Sequence, residues 1–147
     1  MISLRKLNRD NWVECTRLQL HEGQIKNLAS NVVTIAESKF YPSHCLRAIY
    51  RDEQMAGLLA YTSEDDPPDE SLYWIYRLMI AADLQRQGIG IAAMKIAISE
   101  ITELGATRIR TMHKPSNTAA SRLYEKLGFK NIGDYDDGDI LLEMAVG

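Results

Sequence analysis

Apolar and polar positions alternate with a period of two from Ile2 to Leu7, which predicts a short strand. Asn8-Arg9-Asp10 then offers a helix cap, with Trp12, Val13 and Leu18 as the apolar side of the segment behind it. Val32, Val33, Ile35, Ala36 and Phe40 recur at near-helical spacing and predict a second helix over 30–39, stopped by Pro42. Leu46–Tyr50 and Met55–Thr62 read as paired strands around Arg51-Asp52-Glu53-Gln54. The two prolines and five carboxylates of 63–71 predict an exposed acidic loop. Leu72–Ile80 is apolar and aromatic enough to be central in a sheet. Ile89, Ala92, Ala93, Ile96, Ala97, Ile101 and Leu104 make one broad helix face that ends at Gly105. Thr107–Met112 is a further strand. Ser116 or Asn117 caps a helix with Ala119, Ala120, Leu123 and Leu127 inward and Gly128 just past its end. A last hairpin over 130–146 turns at Asp137-Gly138. The order is β-α-α-β-β-β-α-β-α-β-β, with a βαβ unit in the middle.

The 147 residues suit one domain, residues 1–147, with a real core. A net charge of −3 argues against a sequence-independent nucleic-acid binder. No apolar stretch approaches the ~20 residues that span a bilayer, and the first residues lack the apolar segment of a secretory signal, so a cytoplasmic protein without membrane partners is expected. Cys15 and Cys45 form no CxxC pair, and His21, His44 and His113 show no ligand spacing, so no metal site is expected.

The candidate chemistry begins at Gln85-Arg86-Gln87-Gly88-Ile89-Gly90, between the central strand and the long helix. Two glycines one residue apart bring backbone N–H groups close to a ligand, and the helix behind them adds the positive end of its dipole. Such a site holds a phosphate or pyrophosphate. The lysine and hydroxyl of a nucleoside-triphosphatase loop are missing. The acidic residue of the dinucleotide fingerprint, about 20 positions on, is also missing; Arg108 and Arg110 stand there instead.

Downstream, Asn117, Ala120, Leu123, Tyr124, Gly128 and Phe129 fall in the form Asn-x-x-Ala-x-x-Leu-Tyr-x-x-x-Gly-Phe. Together with Gln85, Gly88 and Gly90 in Gln-x-x-Gly-x-Gly, the chain resembles the Gcn5-related N-acetyltransferases (GNAT) over nearly its whole length. The resemblance implies a mixed α/β fold: a mostly antiparallel, splayed sheet of six to seven strands, about four helices and a central βαβ cofactor unit. It implies acetyl-coenzyme A as co-substrate. The amides of Arg86, Gln87, Gly88, Ile89, Gly90 and Ile91 would hold the pyrophosphate behind Gln85. The backbone of Met79 and Ile80 would pair with the pantetheine arm, Asn117 would bond that arm, and the Arg86 side chain would add charge beside the phosphates.

The same resemblance implies direct attack of an amine on the thioester. Tyr124 matches the tyrosine that serves the departing thiolate; a phenol with a pKa near ~10 is protonated at neutral pH. Where several polyamine-acetylating relatives have a carboxylate base, this chain has Tyr76. That leaves Glu37, or a water wire toward the acidic segment, as the base, and Tyr76 to orient water or substrate.

The N-terminal half and 73–80 also resemble the bacterial diamine and spermine/spermidine acetyltransferase branch. That likeness implies a small-molecule polyamine acceptor held by Glu22, Glu37, Tyr41, Trp74 and Tyr76, carboxylates for its cations and aromatic faces for its methylenes. It also suggests a homodimer through the C-terminal strands or the acidic hairpin. The competing readings are a protein, peptide or amino-sugar acceptor, and a non-catalytic acetyl-coenzyme A binder that regulates a partner.

Overall fold

The computed structural model describes residues 1–147, the side chains of Asn27 and Asp136 excepted. Seven strands form one sheet in the order β1-β2-β3-β4-β5-β7-β6. The strands are β1 Ile2–Lys6, β2 Cys45–Arg51, β3 Gln54–Asp65, β4 Pro68–Ile80, β5 Arg108–His113, β6 Lys130–Asp134 and β7 Ile140–Ala145. The helices are α1 Trp12–Arg17, α2 Asn31–Ser38, α3 Ile89–Glu103 and α4 Thr118–Leu127. Only β4 and β5 pair in parallel; every other pair is antiparallel. The mixed, mostly antiparallel sheet with its βαβ unit is therefore the one read from the sequence. No helix among the described residues is long and apolar enough to cross a membrane.

The sheet is covered on both faces. Ile89, Ala93, Met94, Ala97 and Ile101 of α3 pack with Ile49, Leu59, Tyr61, Ile75, Ile109 and Leu142. A smaller cluster on the α1 and α2 side contains Cys15, Leu46, Ala48, Tyr50, Met55, Leu58 and Ala60. Burial on both faces explains why β3 reads as an unbroken apolar run from Met55 to Tyr61.

Five sequence expectations change. The acidic segment 63–71 is mostly strand, because Asp66-Pro67 alone makes the turn between β3 and β4. The prolines sit at the turn and at a strand's first residue, where no ladder N–H is needed, and the hairpin tip stands in solvent, where carboxylates are not penalised. Trp12 and Val13 of α1 face outward, and Cys15 is its buried residue. Asn8 accepts the amides of Asp10 and Asn11 at 2.8 and 3.1 Å, while the cap position itself is Asn11. In α2 the apolar positions Val32 and Val33 are 56% and 50% exposed and Phe40 beyond it 74%, whereas Asn31 and Thr34 are buried. On α4 Ala119 is exposed and Tyr124 is the buried residue.

Two details of β4 prepare the site. Its pairing to β3 skips from Ala60–Arg77 to Tyr61–Ile75, so Tyr76 is the extra residue of a β-bulge. Its parallel pairing to β5 stops at Trp74–Arg110, although both strands run on, so the sheet splays open from there. The last link across the opening is the Thr111 hydroxyl, which donates to the Ile75 carbonyl at 2.8 Å.

Candidate active site

The splay opens into a cavity of about 860 Å³. Leu78, Met79 and Ile80 of β4 form one wall, and Met112, His113 and the Asn117–Tyr124 side of α4 form the other. The loop from Leu84 to Ile91 closes one end, and Leu20, His21, Gln24 and Leu28 border it. Met79 and Ile80 pair with Leu58 and Gly57 of β3 on one edge only, so their other edge faces the gap. Gly57 makes this approach possible: a Cβ there would lie 2.1 Å from the Met79 carbonyl oxygen.

At the loop, Arg86 and Gly88 both have positive φ, 63° and 78°. This turns the chain sharply into α3, whose N-cap Gly88 supplies no side-chain cap. Among the described hydrogen bonds, none outside regular helix has a main-chain N–H of 86–91 as donor, and the first helical amides lack intrahelical acceptors by geometry. A Cβ on Gly88 would meet nothing within 4 Å. Free donors, the helix dipole and open space together make an anion cradle.

The Gln85 amide pairs reciprocally with Gln24 at 2.8 and 2.9 Å and also donates to the Ile80 carbonyl at 2.9 Å, so its side chain holds the loop against its neighbours. Gln87 turns its side chain to Arg51 and does not line the cavity. Asn117 caps α4 by accepting the Ala120 amide at 3.2 Å.

Sequence reasoning placed the Arg86 charge at the loop but missed the other three cations of this cleft, Lys114, Arg122 and Lys126. Arg86, Lys114, Arg122 and Lys126 all line it, a local positive field within a chain of net charge −3. The spacing of Arg122 and Lys126, four apart on α4, was the available signal. Lys114 also reaches across to the Lys26 carbonyl at 2.9 Å. His113, buried at the end of β5, was missed as well; its Nδ1 lies 2.8 Å from the Lys114 carbonyl.

Tyr124 is buried, with its ring 6.2 Å from His113 and 5.7 Å from Phe129. Burial pushes its phenol above the ordinary value, with the Thr111 hydroxyl acting in the opposite sense. A protonated hydroxyl therefore stands beside the last link across the splay.

Tyr76, Glu37 and Tyr41 come together elsewhere, where the bulge of β4 meets α2 and the loop behind it. His44 stacks on Tyr41 at 4.9 Å and meets Tyr76 at 4.7 Å. The Arg77 guanidinium lies 5.2 Å from the Tyr76 ring centroid, donates to the Tyr76 carbonyl and stands 3.8 Å from Glu37. Burial raises the Tyr76 phenol, with Glu37 adding to the effect. His44 and Arg77 were not read as site residues. Trp74 lies one step away: it donates Nε1 to Glu64 and packs against Tyr135. Glu22 is exposed and joins neither group, although His21 and Gln24 beside it border the cavity.

A splayed β4–β5 pair with an anion cradle behind it is the geometry that the motifs implied, and the family model for the acetyltransferase (GNAT) family matches residues 4–129. The chain belongs to the GNAT family. The family's donor, acetyl-coenzyme A, fits this cleft by the free amides, the open Gly88 and the cations around them.

A 55-residue stretch is 36% identical to the ribosomal protein bS18-alanine N-acetyltransferase of Escherichia coli (strain K12), covering 37% of each chain. The chain thus spans about a third of the length of the curated relatives it matches. Solved structures agree over nearly the whole fold. The PaiA N-acetyltransferase of Thermoplasma acidophilum with coenzyme A superposes with a TM-score of 0.74 at 16% identity, covering 99% of both chains. The aminoglycoside acetyltransferase AAC(6')-Ib with coenzyme A gives 0.80 at 18%, covering 99% of this chain and 95% of that one. At such identities the likeness is one of fold.

Proposed function

We propose that this protein transfers the acetyl group of acetyl-coenzyme A to a primary amine, with residues 1–147 acting as one acetyltransferase domain. The observation that carries the reading is the shared apex of the splay. Free β4 backbone, a buried phenol and an anion cradle all converge on one cleft. The amides of 86–91 would hold the pyrophosphate, with Arg86, Lys114, Arg122 and Lys126 beside it. The free edge of Met79 and Ile80 would take the pantetheine arm, and Asn117, its Oδ1 engaged in the cap, keeps an amide N–H₂ for that arm. The donor supplies a thioester carbonyl open to attack by a neutral amine. Tyr124 gives its proton to the sulfur that leaves, which its raised pKa suits, since the phenol stays protonated at neutral pH.

The polyamine acceptor is the weaker form of this reading. A long polycation needs free carboxylates along its path. Glu37 faces Arg77, Glu64 is bonded to Trp74 and Asp69 is engaged by Ser71 and Arg108, which leaves exposed Asp65, Asp66 and Glu70 clustered at the hairpin tip and Glu22 apart from them. The exposed Val33, Phe40 and Tyr41 beside the Glu37 group favour an amine on an apolar body, such as a peptide N-terminus. The exposed edge strand β6 supports pairing of two copies, which sedimentation would read.

Thiol release from acetyl-coenzyme A against spermidine, an amino sugar and an alanine-ended peptide tests all of this. Turnover with the peptide above spermidine supports the apolar acceptor, and the reverse restores the polyamine. Tight cofactor binding with no thiol released by any amine would leave a regulator instead of an enzyme.

A further inference from the structure

The cleft carries more positive charge than a cradle for one pyrophosphate needs. Arg86, Lys114, Arg122 and Lys126 line it, and none of its lining residues is an aspartate or a glutamate. In a chain of net charge −3 that is a local reversal of sign.

The cations stand in different places. Arg86 belongs to the glycine loop, and the Lys114 ammonium is drawn across to the Lys26 carbonyl. Arg122 and Lys126 stand on the opposite wall, four apart on α4, a spacing that puts two side chains on one helix face with Cβ atoms about 5–6 Å apart. Leu123, between them in the chain, locates that face. Its Cδ2 lies 3.8 Å from the position that a Cβ on Gly90 would take. This turn of α4 therefore packs directly on the cradle, and its two cations stand beside the loop end of the cleft.

Among the described residues, neither side chain has an ion-pair or hydrogen-bond partner, whereas Arg47, Arg77, Arg108 and Arg110 each face a carboxylate. Glu125, their exposed neighbour on α4, does not line the cleft. The helix dipole accounts for a cation at Lys126, in the last turn of α4, but not for Arg122 in mid-helix.

We propose that Arg122 and Lys126 form a second anion subsite, which takes the monoester phosphate on the ribose of coenzyme A. This rests on the acetyl-coenzyme A reading above. The amide cradle and Arg86 already meet the pyrophosphate. A monoester phosphate carries about −1.5 to −2 charges at neutral pH and three acceptor oxygens. A planar guanidinium fork beside a mobile ammonium matches that demand, since the fork bonds two oxygens and the ammonium neutralises the remaining charge. The pair thus reads the one group that dephospho-coenzyme A lacks, and the nucleotide end of the donor contributes to selectivity along with the pantetheine arm.

Calorimetry with coenzyme A and dephospho-coenzyme A tests the subsite. The proteins are the wild type, the double variant Arg122→Gln with Lys126→Gln, and a control, Lys95→Gln with Lys130→Gln, which removes the same charge from exposed positions outside the cleft. The wild type should prefer coenzyme A by about tenfold, the size expected of two solvent-exposed charge contacts. The double variant should lose that preference and keep its affinity for dephospho-coenzyme A, which also shows that it is folded. The control should keep the preference. In phosphorus NMR the ribose phosphate should ionise at lower pH when bound than when free, because nearby cations favour its dianion, and the double variant should abolish that shift. Equal affinities in the wild type, a preference that survives in the double variant, or an equal loss for both ligands would overturn the subsite and leave the acetyl-coenzyme A reading intact. A preference lost equally in the control would reduce the effect to net charge and overturn the subsite as well. A wild type that binds neither ligand would overturn the reading and the subsite together.

Discussion

Helices α2 and α3 carry similar apolar spacing and use it in opposite ways. In α3 the apolar face goes under the sheet: Ile89, Ala93, Met94, Ala97 and Ile101 are all buried. In α2 Val32 and Val33 point outward, Ile35 packs against the smaller core cluster, and the buried residues are Asn31 and Thr34. Asn31 donates to the Cys15 carbonyl at 2.9 Å and touches the Met79 sulfur at 3.7 Å, so a polar side chain fixes α2 to both α1 and the cofactor strand. One helix spends its hydrophobicity on the core and thereby aims a rigid N-terminus at the donor cleft. The other leaves Val32 and Val33 in solvent and is held by Ile35 against the core and by the hydrogen bond of Asn31. Apolar periodicity identifies a helix; it does not say which partner the apolar face serves.

Substitutions can break that contrast. Ile101→Ala, at 0% exposure, should cost about 2–5 kcal/mol by denaturant unfolding. Equal costs at Val33 would erase the distinction between the helices. Gly88→Asp places a carboxylate in the cradle and should weaken coenzyme A binding by about 100-fold or more, as like charges at contact distance repel; calorimetry with unchanged affinity would remove the cradle from α3. Tyr124→Phe should lower kcat by about 100-fold while leaving cofactor affinity alone. Asn117→Ala should cost about 1 kcal/mol through the lost α4 cap. Val33→Ser should change stability by less than about 0.5 kcal/mol yet raise the acceptor KM; an unmoved KM would make the outward face of α2 inert.

The proposed donor half of the site was legible because local chemistry specifies it. Gly88 and Gly90 ahead of a helix, and Asn117 at the start of another, declare their backbone roles within a few residues. Arg122 and Lys126 were legible in principle, although the overall negative charge hid them. The acceptor half was not. His44 and Arg77 acquire meaning only against Tyr76 and Glu37, which lie up to 40 positions away in the chain.

The sequence by itself determined the element order, the turn chemistry and the cofactor loop, since each follows from the conformational preferences of neighbouring residues. Tertiary structure alone decided that the acidic segment extends a hairpin, that α2 shows Val32 and Val33 to solvent, and that one β-bulge gathers Glu37, His44, Tyr76 and Arg77. Those outcomes depend on register and packing between distant segments, where a single slipped residue reverses which side chains are inside.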